Sequence, residues 1–317
     1  MSELLNLPKG ENLLLPEKIS RYFDVVNPKG IEMVVVDIGQ PRIGSTARAA
    51  LAASLNFFSE VHFQPWKYIQ RYSFALEING SNPRVVINEK GERSARILLK
   101  ETPGGPNDPK ENFNPVAILL EKGLKIEQIK VMLGIREPFA QFASWIKFDQ
   151  SRRPEIFLGG QKYILNLLDI YNAQGILCVP FVFELFYPSP RNYLEYLYQQ
   201  LGLEIVLPES LDFAENLSVI WHEANSELDK IVSFEADIGS SYFEKVVRPV
   251  LEKRRYEVPK PKIPDQALVS QYPSLKEAAI IYWNKAKEFY EKFYKEYLPQ
   301  NEDFKNFLDE YRKALEI

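Results

Sequence analysis

The run Met33-Val34-Val35-Val36-Asp37-Ile38 passes directly into Gln40-Pro41-Arg42-Ile43-Gly44-Ser45-Thr46, and then into Ala47-Arg48-Ala49-Ala50-Leu51. Successive β-branched residues favour a strand buried on both faces, proline and glycine stop it, and the alanine-rich run restarts the chain as a helix. A strand that gives way to a helix through a small-residue turn aims the free N–H groups of turn and helix at one spot. That spot attracts phosphate or sulfate. The turn lacks the GK[ST] ending of a Walker loop, so no lysine is supplied for β/γ-phosphates, and Arg42 is its only cation. Gly44 also has a purely structural reading, since turn geometry or close helix–strand packing favours glycine equally well.

The rest of the chain restricts what such a turn can serve. At 317 residues, 45% apolar and 26% charged, the sequence predicts one large core with helical additions. A net charge of −4 argues against broad nucleic-acid binding, so anion binding has to be local. Cys178 is the only cysteine, which leaves no disulfide and no cysteine-based metal site within one chain. It falls in the apolar run 175–181, where an inert core thiol is expected. The start Met1-Ser2-Glu3-Leu4-Leu5 lacks the basic and apolar parts of a secretory signal, and no apolar run reaches the ~18 residues of a membrane span. The expectation is a cytoplasmic protein with no membrane partner.

Further along, strands are expected at 32–38, 57–62, 84–88, 95–99, 129–136 and 176–183. Helices are expected at 44–55, 138–145, 161–173, from Pro190 to about Leu201, 275–297 and 303–317. Alternation of this kind predicts a mainly parallel, doubly wound α/β sheet. The boundaries proposed are an α/β domain over 1–265 and C-terminal amphipathic helices over 266–317. Those helices pack on the domain or form a homodimer face.

Two motifs then reinforce the first. Arg136-Glu137-Pro138 ends a strand, and Ser144 follows eight residues after Arg136 on the next helix. This pairing resembles the sulfotransferase family, which uses 3′-phosphoadenosine 5′-phosphosulfate (PAPS). That family has a strand ending in Arg-Asp-Pro and a helical serine at this spacing, which hold the cofactor's 3′-phosphate. Its 5′-phosphosulfate loop reads Pro-Arg-Ser-Gly-Thr-Thr or Pro-Arg-Ser-Gly-Ser-Thr in several branches, and Pro41-Arg42-Ile43-Gly44-Ser45-Thr46 matches except at Ile43. Lys100-Glu101-Thr102, Val179 to Glu184 and Leu201-Gly202-Leu203 extend the likeness over about residues 30–205.

The resemblance implies a P-loop-type three-layer fold with a central, mainly parallel sheet. It also implies a PAPS site in which Arg42, Ile43, Gly44, Ser45 and Thr46 cradle the 5′-phosphosulfate, while Arg136 and Ser144 hold the 3′-phosphate. Lys100 would stabilise charge on the leaving phosphate, giving adenosine 3′,5′-bisphosphate as product. Transfer to a small-molecule hydroxyl, or less readily an amine, needs a base, and His62, Glu60 and Glu101 are the candidates. The family often carries a carboxylate where this chain has Gln64. Glu60 and His62 share a face if strand alternation runs through them. No metal is expected, because no compact His/Asp/Glu ligand set appears.

Plainer readings stand beside these. His62 can be a satisfied core histidine, Arg136 can simply pair with Glu137 or Glu184, and His222 can pack on a helix. Gly239-Ser240-Ser241-Tyr242 and Arg254-Arg255 are the C-terminal candidates for cofactor contacts. Two other functions also remain open. A noncatalytic nucleotide-binding protein of the same fold would bind without turnover, and a P-loop phosphotransferase would need a loop lysine and a magnesium site.

Overall fold

A computed structural model of the chain describes residues 30–41, 44–55, 57–63, 86–87, 93–103, 113–147, 153–187, 189–207, 260–264, 266–296 and 302–316. Five strands lie parallel in one sheet: β1 (Ile31–Gly39), β2 (Glu60–Phe63), β4 (Arg93–Glu101), β5 (Ile129–Ile135) and β6 (Leu177–Val182), in the order β2-β4-β1-β5-β6. The short β3 (Val86–Ile87) pairs antiparallel with the start of β4. β1 is central, and Val34 to Gly39 are all buried, as a parallel strand covered on both faces requires.

Helices alternate with these strands. α1 is Ser45–Ser54, α2 Pro115–Glu121, α3 Pro138–Ile146, α4 Pro154–Ala173 and α5 Pro190–Gln200. Proline opens each of α2 to α5, the position where its missing N–H costs nothing. Asn114 caps α2 by accepting from the Ala117 N–H, and Glu137 caps α3 by accepting from Phe139 and Ala140. After the described chain resumes come α6 (Gln266–Gln271), α7 (Leu275–Phe289), a π turn over Tyr290–Tyr294, and α8 (Glu302–Leu315).

Sheet register assigns the layers. Asp37 and Phe181 point to one face, where Arg48 of α1 binds Asp37 through Nε at 3.1 Å and Nη2 at 2.5 Å and stacks on Phe181 at 3.9 Å. Tyr193 of α5 packs on the same Phe181 ring. Cys178 points to the opposite face, beside Tyr171 of α4, whose hydroxyl donates to the cap residue of α2, Asn114. Helices therefore cover both sides of the sheet, and burial raises the Cys178 thiol pKa well above its ordinary value.

The C-terminal helices dock on this body through buried tyrosines. Tyr282 of α7 donates to Glu184, Tyr294 of the π turn to the Pro180 carbonyl, and Tyr311 of α8 to Glu137. Among the described residues no helix is long and apolar enough to cross a membrane.

Candidate functional site

β1 leads into α1 toward β2 on one side, whereas β5 leads toward β6 on the other. The chain thus departs in opposite directions from the carboxyl ends of two adjacent strands, which opens a crevice between them. The turn after β1 is fastened at its start. The Pro41 carbonyl accepts from Gln141 Nε2 at 2.8 Å and Trp145 Nε1 at 3.0 Å, and Gln40 Nε2 donates to the Phe157 carbonyl at 2.9 Å.

Gly44 is the N-cap of α1, with φ 78°, and as a glycine it offers no side-chain cap. A Cβ at Gly44 would meet Phe183 Cε2 at 2.9 Å, so both backbone conformation and space demand glycine there. The first N–H groups of the helix therefore gain no acceptor from their N-cap residue. Ser45 is buried in the first turn.

Arg136 directly follows β5, and its guanidinium stacks on the same Phe183 ring at 4.2 Å. The β1 turn and Arg136 therefore both adjoin one aromatic ring. A cleft runs from Gln40 to Arg136, with Gln141, Gln161, Tyr282 and Lys285 as further polar walls. Ile164 and Leu165 supply apolar surface. Ser144 lies one turn beyond Gln141 on α3, half-buried, and does not line this cleft.

The other sequence candidates gather at the β2–β4 side, but on two faces. Lys100 is level with Asp37 and shares its face, the side of α1, where it is 2% exposed. His62 is level with Leu99, and Glu60 with Ile97, which puts both on the opposite face together with Glu101. Glu60 Oε2 lies 2.9 Å from His62 Nε2. Glu101 is level with Ile38, so it stands two residues, about 7 Å, nearer the carboxyl edge than His62. Burial pushes the His62 pKa down to about 4.

Behind Arg136 lies a carboxylate pair for which the sequence supplied only the hint of ion pairing. Glu137 accepts from Phe139, Ala140 and the Tyr311 hydroxyl, and Glu184 accepts from the Glu137 N–H at 3.0 Å and the Tyr282 hydroxyl at 2.5 Å. Desolvation raises the Glu137 pKa to about 7, reinforced by the negative charge of Glu184 and opposed by its hydrogen bonds. Glu184 is also raised by burial, with the Tyr282 hydrogen bond and the charge of Arg136 pulling it back. Tyr282 and Tyr311 carried no motif signal. Their helical spacing within amphipathic segments reads as ordinary packing.

Arg42 and Ile43 lie outside the described residues, as do Gln64, His222, residues 239–242, Arg254 and Arg255. For Thr46 only the backbone, in the first turn of α1, is described. Among the described residues no group of three or more His, Cys, Asp or Glu could hold a metal ion. Compared with known proteins, the chain matches no protein-family model and no curated protein.

Proposed function

We propose that the chain is a PAPS-dependent sulfotransferase with a P-loop-type fold, acting on a hydroxyl of a small molecule. One observation carries the reading: the glycine-capped N-terminus of α1 and the guanidinium of Arg136 both adjoin the Phe183 ring, at the sheet's switch point beside a cleft. An anion-attracting helix start and a cation that lines a partly apolar cleft beginning at Gln40 suit a nucleotide with phosphates at both ends. The α1 N–H groups and Ser45 would receive the phosphosulfate, and Arg136 the 3′-phosphate. Lys285 adds a second cation to the cleft.

The donor supplies an activated sulfuryl group, and the protein's task is to position it and to manage charge. Lys100, on the α1 side of the sheet, neutralises charge as the sulfur–oxygen bond to the phosphate breaks and the acceptor oxygen bonds to sulfur. The acceptor's proton passes to the cluster of Glu60, His62 and Glu101. An ionised Glu60 can only accept, so His62 Nε2 carries the ring hydrogen and Nδ1 is the basic atom. Nδ1 is buried and, among the described residues, has no hydrogen-bond partner.

Incubation with labelled PAPS and a panel of hydroxyl and amine acceptors tests the proposal. The expected result is a sulfated product and an equal amount of adenosine 3′,5′-bisphosphate. Tight PAPS binding without turnover on any acceptor would favour the noncatalytic reading, and failure to bind PAPS at all would reject the proposal.

A further inference from the structure

We propose that Arg48, gripped by Asp37, is a positioning residue for the donor's 5′-phosphosulfate, fixing the first turn of α1 against β1 so that its N–H groups stay aimed at one point. The proposal rests on the α1 N-terminus as the receiver of that group. Asp37 lies two residues before the end of β1 and Arg48 is the fourth residue of α1, so the pair bridges the two ends of the anion turn. Within α1 the Arg48 N–H donates to the Gly44 carbonyl at 3.2 Å, which closes the first helical turn. Its side chain reaches back to the strand, with Nε 3.1 Å from one Asp37 oxygen and Nη2 2.5 Å from the other. One residue thereby ties the helical end of the turn to its strand end.

The sheet makes room for that side chain. The guanidinium also stacks on Phe181, two strands away from Asp37, at 3.9 Å from the ring centroid. In the row of the sheet that holds Phe181, β5 carries Gly134 and β1 carries Gly39, so no side chain stands in the way. The arginine and aspartate side chains are 1% and 0% exposed. A buried ion pair adds little net stability over apolar residues of like volume, so what this one contributes is direction. A planar fork held by two oxygens and one ring face resists sliding and rotation of the helix to which it belongs. The N–H groups of Ser45, Thr46 and Ala47, which have no acceptor within the helix, take their aim from it.

The test compares, by competition against labelled bisphosphate, adenosine 3′,5′-bisphosphate with adenosine 3′-monophosphate, which lacks the phosphate assigned to α1. Arg48→Lys keeps the charge but loses the fork, and it should weaken the bisphosphate by about tenfold and the monophosphate by less than about twofold. Asp37→Leu combined with Arg48→Met fills the same space with apolar side chains. This double variant should melt near the wild-type temperature and still show the selective loss, a combination foreign to a merely structural ion pair. Unchanged bisphosphate affinity in either folded variant, or equal loss of both nucleotides, would overturn the inference. A wild-type protein that binds the two nucleotides equally would overturn the assignment of α1 to the 5′-phosphate as well.

Discussion

Glu60 and His62 face each other across 2.9 Å on one side of β2, both almost fully buried. The carboxylate fixes the imidazole with its hydrogen on Nε2 and leaves Nδ1 as a lone-pair acceptor. His62→Ala should leave PAPS affinity intact and slow transfer by ~10²–10⁴. Calorimetry and single-turnover rates separate the two effects. Full turnover in His62→Ala would transfer the role of base to Glu101, which stands nearer the carboxyl edge on the same face.

The same burial makes His62 a liability in acid. Its folded pKa of about 4 lies below the ordinary value of 6.5, so as pH falls the unfolded chain takes up the proton first. Stability is therefore full above about pH 6.5 and declines toward pH 4, by about 3 kcal/mol in total. Urea unfolding at pH 7 and 4.5 should show this loss, and His62→Gln should remove its share of the slope.

Glu137 acts in the opposite sense. Its folded pKa of about 7 lies above the ordinary 4.5, so between these values the unfolded state ionises while the folded state keeps its proton. Its contribution is full below about pH 4.5 and is lost as pH rises through 7, again by about 3 kcal/mol. Glu137→Gln stays neutral, so its stability relative to wild type should improve from pH 5 to pH 8. A constant difference between the two proteins across that range would contradict the raised pKa.

Arg136→Ala removes the cation stacked on Phe183 at the cleft. Affinity for adenosine 3′,5′-bisphosphate should fall by about 2–5 kcal/mol, the usual cost of stripping one partner from a desolvated charge pair. Thermal stability should change less than affinity, because Arg136 as a whole residue is only half-buried. Isothermal titration and a melting curve on the same sample give both numbers.

Gly44→Ala should harm fold and site together. The left-handed φ of 78° costs a non-glycine residue about 1–2 kcal/mol. The new methyl would also press on Phe183, and overpacking adds about 1–3 kcal/mol. Because Phe183 supports Arg136, bisphosphate binding should weaken even at temperatures where the variant is fully folded.

How far the sequence reaches can be judged element by element. The β-branched runs at β1 and β5 and the apolar run at β6 specify strands locally, and their structural limits fall within about two residues of the expected ones. α4 starts seven residues before the expected Gln161, because Pro154 opens it and the amphipathic pattern continues through Leu158. The strand and helix patterns leave residues 113–128 without an element, yet Asn114-Pro115, a cap followed by an N1 proline, marks α2. The order β2-β4-β1-β5-β6 is not written in any segment, because parallel pairing joins strands far apart in sequence.

The sequence by itself determined the local pieces of the site. A strand, a glycine turn and a helix start make an anion cradle wherever they occur, and an arginine that ends a strand reaches the sheet's carboxyl edge. Tertiary structure alone decided what those pieces face. Strand pairing turned Lys100 to the α1 side and His62, Glu60 and Glu101 to the other, since side-chain direction depends on register as well as on alternation. It also brought Tyr282 and Tyr311, 98 and 174 residues beyond their carboxylate partners, onto Glu184 and Glu137 behind Arg136. Contacts over such distances come from packing, where buried carboxylates must find donors and the nearest donors are supplied by helices at the far end of the chain.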